Sequence, residues 1–411
     1  MASISESAAP SLGGAAQMRV TYSQVVIDPA PDLGGAQPLE KALGDLNLDG
    51  RPDAILGAGN AGGGGLYWYA SPGTGALTDP WAKHVIAETG DFYEDMAILD
   101  VNRDGAPDIV ASVDDGLAWF ENPLRQGGDA VNGPWTRHTI RTDGAAHAIA
   151  VADIDGDGRQ DIVIAGSVGR GSPPAILFQD GPDAWTQRSF GQVGDGMALL
   201  SIGTGKGAIN IVGGDGDSVV WYENPRETGG NARLDAWVPH VAATLPHAFY
   251  DAFAAGVFTP GGRMDLVVAS SEDYPDNPSG LYRLVAPADP RQAWSIQVID
   301  PSYTAVHRVN LADMNRDGLL DIVVAEQEQA HNSPPDFDQD FGQQRVAVFL
   351  NQGNGSFAEQ RIAMTGGHNQ VAVDVNMDGY PDILNANHGV FGAPHPLELW
   401  VSQPVMAADW P

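Results

Sequence analysis

Apolar residues in this chain come in short runs, separated by stretches rich in Gly, Pro, Asn and Asp. Within the runs, aromatic and β-branched side chains fall at alternating positions, which is the period of a strand rather than a helix. Between residues 96 and 140 the runs are Met96–Leu99, Ile109–Ser112, Gly116-Leu-Ala-Trp-Phe-Glu-Asn-Pro123 and Trp135–Ile140, predicting four strands in succession. The third recurs as Leu66–Tyr69 and Val219–Pro225. The fourth recurs as Trp81–Ile86, Trp185–Phe190, Trp237–Val241, Trp294–Ile299 and Phe357–Ile362.

The turn between the first and second strands repeats as well. In Asp153-Ile-Asp-Gly-Asp-Gly-Arg-Gln-Asp161 the carboxylates of Asp153, Asp155, Asp157 and Asp161 stand at positions 1, 3, 5 and 9, with Gly158 at position 6. Oxygen ligands at that spacing around a glycine turn are the pattern of a calcium-binding loop. Four more copies supply Asp45, Asn47, Asp49 and Asp53; Asp100, Asn102, Asp104 and Asp108; Asp313, Asn315, Asp317 and Asp321; and Asp374, Asn376, Asp378 and Asp382. All twenty are expected metal ligands. Up to five structural Ca²⁺ ions are therefore expected, and a copy that has lost its metal would persist as an Asx-turn.

The starts at 45, 100 and 153 are evenly spaced, and the gap to 313 has room for two more units. Met197–Val212 and Ala254–Val268 fill it, keeping the apolar frame but few of the acids. Seven units of four strands predict an all-β fold, a seven-bladed β-propeller with the calcium loops on one face. The last unit has a third strand, Leu397–Val401, and little chain for a fourth. Met18–Ile27 is expected to complete that blade and close the ring, removing open sheet edges. The predicted organisation is a disordered segment 1–17, one propeller over 18–402 and a tail at 403–411.

With these repeats in view the chain resembles the FG-GAP/VCBS-repeat family, also found in integrin α-subunit propellers, over roughly 18–402. The Trp-Tyr-Glu-Asn-Pro and Trp-x-x-His-x-Ile signatures further resemble propellers of the aldos-2-ulose dehydratase kind and, more distantly, ulvan and rhamnogalacturonan lyases. The resemblance implies calcium loops joining the first and second strands on the lower face, and a carbohydrate substrate or ligand.

Charge narrows the partners. A formal charge of −32 argues against nucleic acid and anionic membrane surfaces, although five bound Ca²⁺ would offset ten of those charges. No stretch approaches the ~20 apolar residues of a membrane span. The absence of cysteine rules out disulfides and thiolate chemistry. Calcium demand favours an extracellular or periplasmic location. Residues 1–17 lack the basic and apolar regions of a signal peptide, which leaves the cytoplasm open.

If the acidic loops mark one face, the residues five or six positions upstream mark the other. Those positions hold Glu40, Glu94, Asp95, His147, Asp195, Tyr250, Asp251, His307, Arg308, His368 and Asn369. Long loops between second and third strands add Arg170, the insert 326–342 with His331, and 385–395 with His388; Tyr303 lies nearby. The expected catalytic set is His147, His307, His368, His388, His331, Tyr250 and Arg308. The expected substrate-binding set is Glu40, Glu94, Asp95, Asp195, Asp251, Tyr303, Asn369 and Arg170.

Two chemistries fit. Histidines with a carboxylate would hold an additional divalent ion such as Zn²⁺ with an open position. Alternatively His and Tyr would act as base and acid while Arg308 neutralises a carboxylate or enolate. Both suit β-elimination from a sugar, keto-sugar or uronate by a lyase or dehydratase. The alternative is a non-enzymatic lectin- or adhesion-like propeller, and hydrolysis by paired carboxylates is a third reading. The Trp-x-x-His histidines (His84, His138, His240) and the third-strand tryptophans are expected to serve packing. The oligomeric state has no sequence signature here.

Overall fold

The computed structural model describes residues 19–59, 63–114, 116–166, 172–202, 207–245, 250–270, 280–327, 344–387 and 396–405. Seven four-stranded antiparallel sheets form, each from strands consecutive in the chain except the last. Blade two is representative: Phe92–Leu99, Asp108–Val113, Gly116–Glu121 and Thr136–Arg141, from the axis outward. In blade seven Arg19–Asp28 pairs with Leu397–Val405 as the outermost strand, Arg19 opposite Val405. The ring therefore closes through the N-terminal strand as expected. The third strand runs to Val405, past the expected boundary at 402, because its partner continues to Arg19. The expected disordered segment 1–17 and residues 406–411 lie outside the described residues. No helix among them is long and apolar enough to cross a membrane.

The second strands are continuously apolar because they are covered on both faces; Asp53–Gly59 and Asp108–Val113 are buried at every position. The core lies between blades. Leu46, Ile55 and Trp68 of blade one pack with Phe92, Ile109 and Phe120 of blade two. Each such side chain contributes about 1.5–3 kcal/mol on burial. Trp68, Trp119 and Trp221 stand directly opposite His84, His138 and His240 across the two outer strands. Their rings lie 4.1–4.5 Å apart, so these histidines serve packing.

Polar clasps join successive blades. Asn122 of blade two donates to the Leu46 carbonyl of blade one at 2.8 Å, and Gln179 of blade three to Val101 of blade two at 2.9 Å. Asn224 reaches Ile154 at 2.9 Å and Asn351 reaches Phe258 at 2.8 Å in the same way. Each acceptor is the second residue of a turn joining first and second strands, so those turns are junctions of the ring.

Candidate functional site

Four of the five acidic loops close by one hydrogen-bond scheme, and in the blade-three loop Asp153 Oδ1 accepts from Gly156 instead. In the first, Asp45 accepts from the N–H groups of Asp49 and Gly50 at 2.9 and 2.8 Å, and Asn47 Oδ1 accepts from Asp49 at 3.0 Å. Gly50 sits at φ 86°, a left-handed turn that favours glycine. The ninth residue turns inward. Both oxygens of buried Asp53 accept backbone N–H groups, from Leu46 at 3.0 Å and Ser71 at 2.9 Å. Asp108, Asp161, Asp321 and Asp382 do the same. Burial pushes Asp53, Asp108 and Asp321 up to about 7 and Asp161 and Asp382 up to about 6, against those hydrogen bonds.

In blade three, donor atoms of Asp153, Asp155 and Asp161 lie within 4.8 Å of one another. Asp157, the expected fourth ligand of this loop, does not join that trio. It is exposed, and its carboxylate is drawn to the chain just ahead: Oδ1 accepts the Arg159 N–H at 2.8 Å, and Oδ2 pairs with the Arg159 guanidinium. The position-5 aspartate of the first loop is held in the same way, Asp49 accepting the Arg51 N–H at 3.0 Å and pairing with the Arg51 guanidinium. The blade-three loop alone of the five carries Asp at position 3, and Arg233 of blade four pairs with Asp155 and, at 2.6 Å, with Asp180. All five donor sets are oxygen, the preference of Ca²⁺.

The inner strands start at the opposite end, about 17–20 Å away at about 3.3 Å per residue. Several of the expected positions lie inside these strands, not in loops before them: Glu40 in Gln37–Gly44, Glu94 and Asp95 in Phe92–Leu99, and His307 and Arg308 in Val306–Ala312. Bulges explain this. The register shifts between Pro38 and Glu40, Phe92 and Met96, Tyr250 and Ala252, and Val306 and Val309. A bulge re-aims side chains without ending the strand. Glu94 is held at φ 64° and Asn369 at φ 52°, conformations that cost a non-glycine residue about 1–2 kcal/mol and gather at functional sites.

A cavity of about 70 Å³ lies among these strand ends, lined by Glu94, Asp95, His147, His307, Arg308 and Asn369 with apolar Met197 and Phe253. Buried His368 stands behind it, its ring 4.7 Å from that of His307, which in turn is 6.1 Å from His147. Donor atoms of Glu94, His307 and His368 all fall within 4.8 Å of one another. Arg308 is ion-paired with Asp95, whose carboxylate also accepts the Ile149 N–H at 2.9 Å. Asn369 donates to the Glu94 carbonyl at 2.6 Å.

The electrostatics of the trio follow from burial. Burial lowers His368 against the pull of Glu94. Burial would raise Glu94, but the surrounding imidazoles of His368, His147 and His307 hold its carboxyl well below the usual range. His368 Nδ1 lies 3.2 Å from the Leu39 carbonyl, and a carbonyl only accepts, so Nδ1 carries the ring proton. Nε2 then faces Glu94 Oε2 at 3.2 Å. Two such atoms stay that close only with a proton or a metal cation between them, and an imidazole nitrogen beside a carboxylate oxygen is a donor set that fits a divalent ion.

Other expected residues lie elsewhere. Tyr303 is fully buried in the inter-blade core, its hydroxyl donating to Glu359 at 2.9 Å and the Arg345 guanidinium 3.6 Å above its ring. Glu40 is walled off against Gly57, fully buried with no hydrogen-bond partner among the described residues; burial raises its carboxyl well above the usual range. Asp195 is half-buried and does not line the cavity. Arg170, His331 and His388, and the side chains of Tyr250 and Asp251, lie outside the described residues. Sequence reasoning missed Lys41 and Gln327. Lys41 is buried one residue past the expected offset, and Gln327 places its amide nitrogen 2.7 Å from His307 Nε2.

This geometry defines the chain as a seven-bladed β-propeller with inner-strand ends gathered around one cavity. Residues 45–111 and 100–164 match the FG-GAP-like repeat. Among solved structures the chain is similar to an Agrocybe aegerita lectin that recognises non-reducing terminal N-acetylglucosamine, at 17% identity and TM-score 0.49, covering 80% of this chain and 81% of the lectin. It is also similar to an ancestral GH74 enzyme, at 12% identity and TM-score 0.41, covering 90% of this chain and 42% of that one, so it spans less than half of the enzyme. No curated protein matches in sequence.

Proposed function

We propose that this propeller is a carbohydrate-active lyase or dehydratase, performing β-elimination on a sugar, keto-sugar or uronate at the single upper-face cavity. The observation that carries the reading is the convergence of unlike residues on one point: Glu94 and Asp95 from blade two, His147 from blade three, His307 and Arg308 from blade six, Asn369 from blade seven. A repeated binding module would place the same set in several blades; one reaction needs different groups in one place.

Glu94, His307 and His368 would hold a divalent ion such as Zn²⁺, two imidazoles and a carboxylate being a catalytic donor set that keeps a position open. When bound, such an ion supplies Lewis-acid polarisation of a carbonyl or carboxylate oxygen. His147, half-buried on the cavity wall, takes the proton from the carbon next to that group. The C–H electron pair moves into the enolate, the β C–O bond breaks, and the departing oxygen receives the proton. Arg308, oriented by Asp95, balances the enolate charge. At about 70 Å³ the cavity suits the reacting edge of a sugar rather than a whole residue. On the opposite face the five acidic loops would bind Ca²⁺ as structural ties between strands.

The test is incubation with uronate-containing polysaccharides and keto-sugars, following the absorbance of unsaturated or enone products. Product formation that falls with His147→Ala supports the reading. No product across the panel, together with sugar bound at several equivalent sites, sinks it in favour of a binding module.

A further inference from the structure

Blade one hides a cation beside the site. Lys41 is 1% exposed and follows the bulge between Pro38 and Glu40. A bulge removes backbone groups from the ladder, and a buried carbonyl left unpaired costs about 1–3 kcal/mol. Lys41 Nζ satisfies two of them, donating to Pro38 O at 2.7 Å and Leu39 O at 3.2 Å. A lysine is an expensive way to fill a bulge, since burying a charge costs several kcal/mol.

What distinguishes this bulge is where its second carbonyl leads. Leu39 O also receives Nδ1 of His368 at 3.2 Å and Nδ2 of Asn369 at 3.4 Å, both from blade seven. An imidazole bound through Nδ1–H to a fixed carbonyl has its tautomer and ring plane set, and offers Nε2 as a ligand; partners of this kind tune metal sites.

We propose that Lys41 is a positioning residue for the central site: by holding the Leu39 carbonyl it sets the His368 tautomer and presents Nε2 to the cation shared with Glu94 and His307. The consequence for metal binding rests on the reading above; the tautomer does not. Nor does it depend on the charge of Lys41, because a neutral amine still carries two N–H donors for its two carbonyls.

The experiment uses the full chain, ¹⁵N-labelled at histidine and treated with chelator, with the tautomer read from two-bond ¹⁵N–¹H couplings. Wild-type His368 is expected as the Nδ1–H form. Lys41→Met, of similar shape but without donors, is expected to populate Nε2–H and to weaken Zn²⁺ binding by about 10–100-fold in competition with a chromophoric chelator. An Nε2–H wild type overturns the proposal, as does a folded Lys41→Met protein with an unchanged tautomer. If that variant fails to fold, a through-hydrogen-bond coupling from Lys41 Nζ to the Leu39 carbonyl carbon in the wild type decides: its presence supports the proposal and its absence overturns it. If neither protein binds Zn²⁺ but the tautomer still shifts, the metal reading falls and the positioning role stands.

Discussion

Nε2 of His368 stands 3.2 Å from Oε2 of Glu94, although the two residues begin different blades and lie 274 positions apart. The contact is made by a strained bulge on one side and a buried imidazole on the other. Neither is needed to build a blade. Such strain is expected where geometry is kept for chemistry.

Glu94→Gly tests that trade. Glycine adopts φ 64° without penalty, so the backbone strain, of order 1–2 kcal/mol, is relieved. The substitution also removes the carboxylate. Elimination activity should fall by on the order of 10²-fold or more, while the urea midpoint stays level or rises. A large loss of stability would show that Glu94 holds the fold together and is not reserved for the site.

The acidic loops make a separate prediction. A ligand bound only by the folded state stabilises by about 2.7 kcal/mol per site at a hundredfold excess over Kd. Chelation should therefore lower the melting temperature, and Ca²⁺ should restore it while Mg²⁺ does so poorly. A melting curve indifferent to chelator would reduce the five loops to Asx-turns.

The blade count was legible because its signals are local: strand alternation, turn residues and the acidic loop all fall within about 50 residues. Counting upstream from the loops also found His147, His307, His368, Glu94, Asp95, Arg308 and Asn369, since parallel inner strands bring equal offsets to one level. The count failed in blade one. Glu40 and Lys41 sit on a bulge, which turns the carboxyl into the wall and the ammonium onto backbone carbonyls. Tyr303 crosses between blades before its inner strand begins and is captured by the core. Arg283 was missed for another reason. It occupies in blade five the register of Trp68, Trp119 and Trp221, and only the fold shows what it faces.

Arg283 faces Asp265, the sole acid retained in that blade's turn, with Nη2 2.5 Å from Oδ2 and both side chains 6% exposed. A guanidinium thus neutralises a buried carboxylate in a turn that lacks the other loop acids. Removing one partner of a buried pair costs about 3–5 kcal/mol. Arg283→Met should destabilise by that amount in urea, and Arg283→Met with Asp265→Asn should recover part of it. Equal stability of the wild type and the single variant would contradict the pairing.

Glu223 provides a pH handle far from the site. Burial would raise its carboxyl, but the Arg291 hydrogen bonds, at 2.5 and 3.0 Å, and His240 at 2.9 Å hold it below the usual range. A depressed folded-state pKa means stability that is present above the unfolded value near 4.5 and is lost as pH falls through the lower folded value. Arg291→Ala should therefore destabilise at pH 7 and converge on wild type at acidic pH, as followed by urea midpoints across pH. A difference that persists unchanged into acid would assign Arg291 a packing role instead.

The inter-blade clasps give the last prediction. Asn122 donates through Nδ2 to Leu46 O at 2.8 Å and Pro107 O at 3.0 Å, while its Oδ1 caps the following turn at Leu124 N. Asn122→Leu keeps the volume and orphans two buried carbonyls, each costing about 1–3 kcal/mol. Because Leu46 N also donates to Asp53, the ninth residue of the first acidic loop, the loss should spread to that loop. Stability should fall by about 2–5 kcal/mol, with amide exchange accelerated at Leu46 and across Asp45–Asp53 but not in the loop of blade six. Uniform acceleration around the ring would mean that the blades unfold as one unit and that the clasp carries no local control.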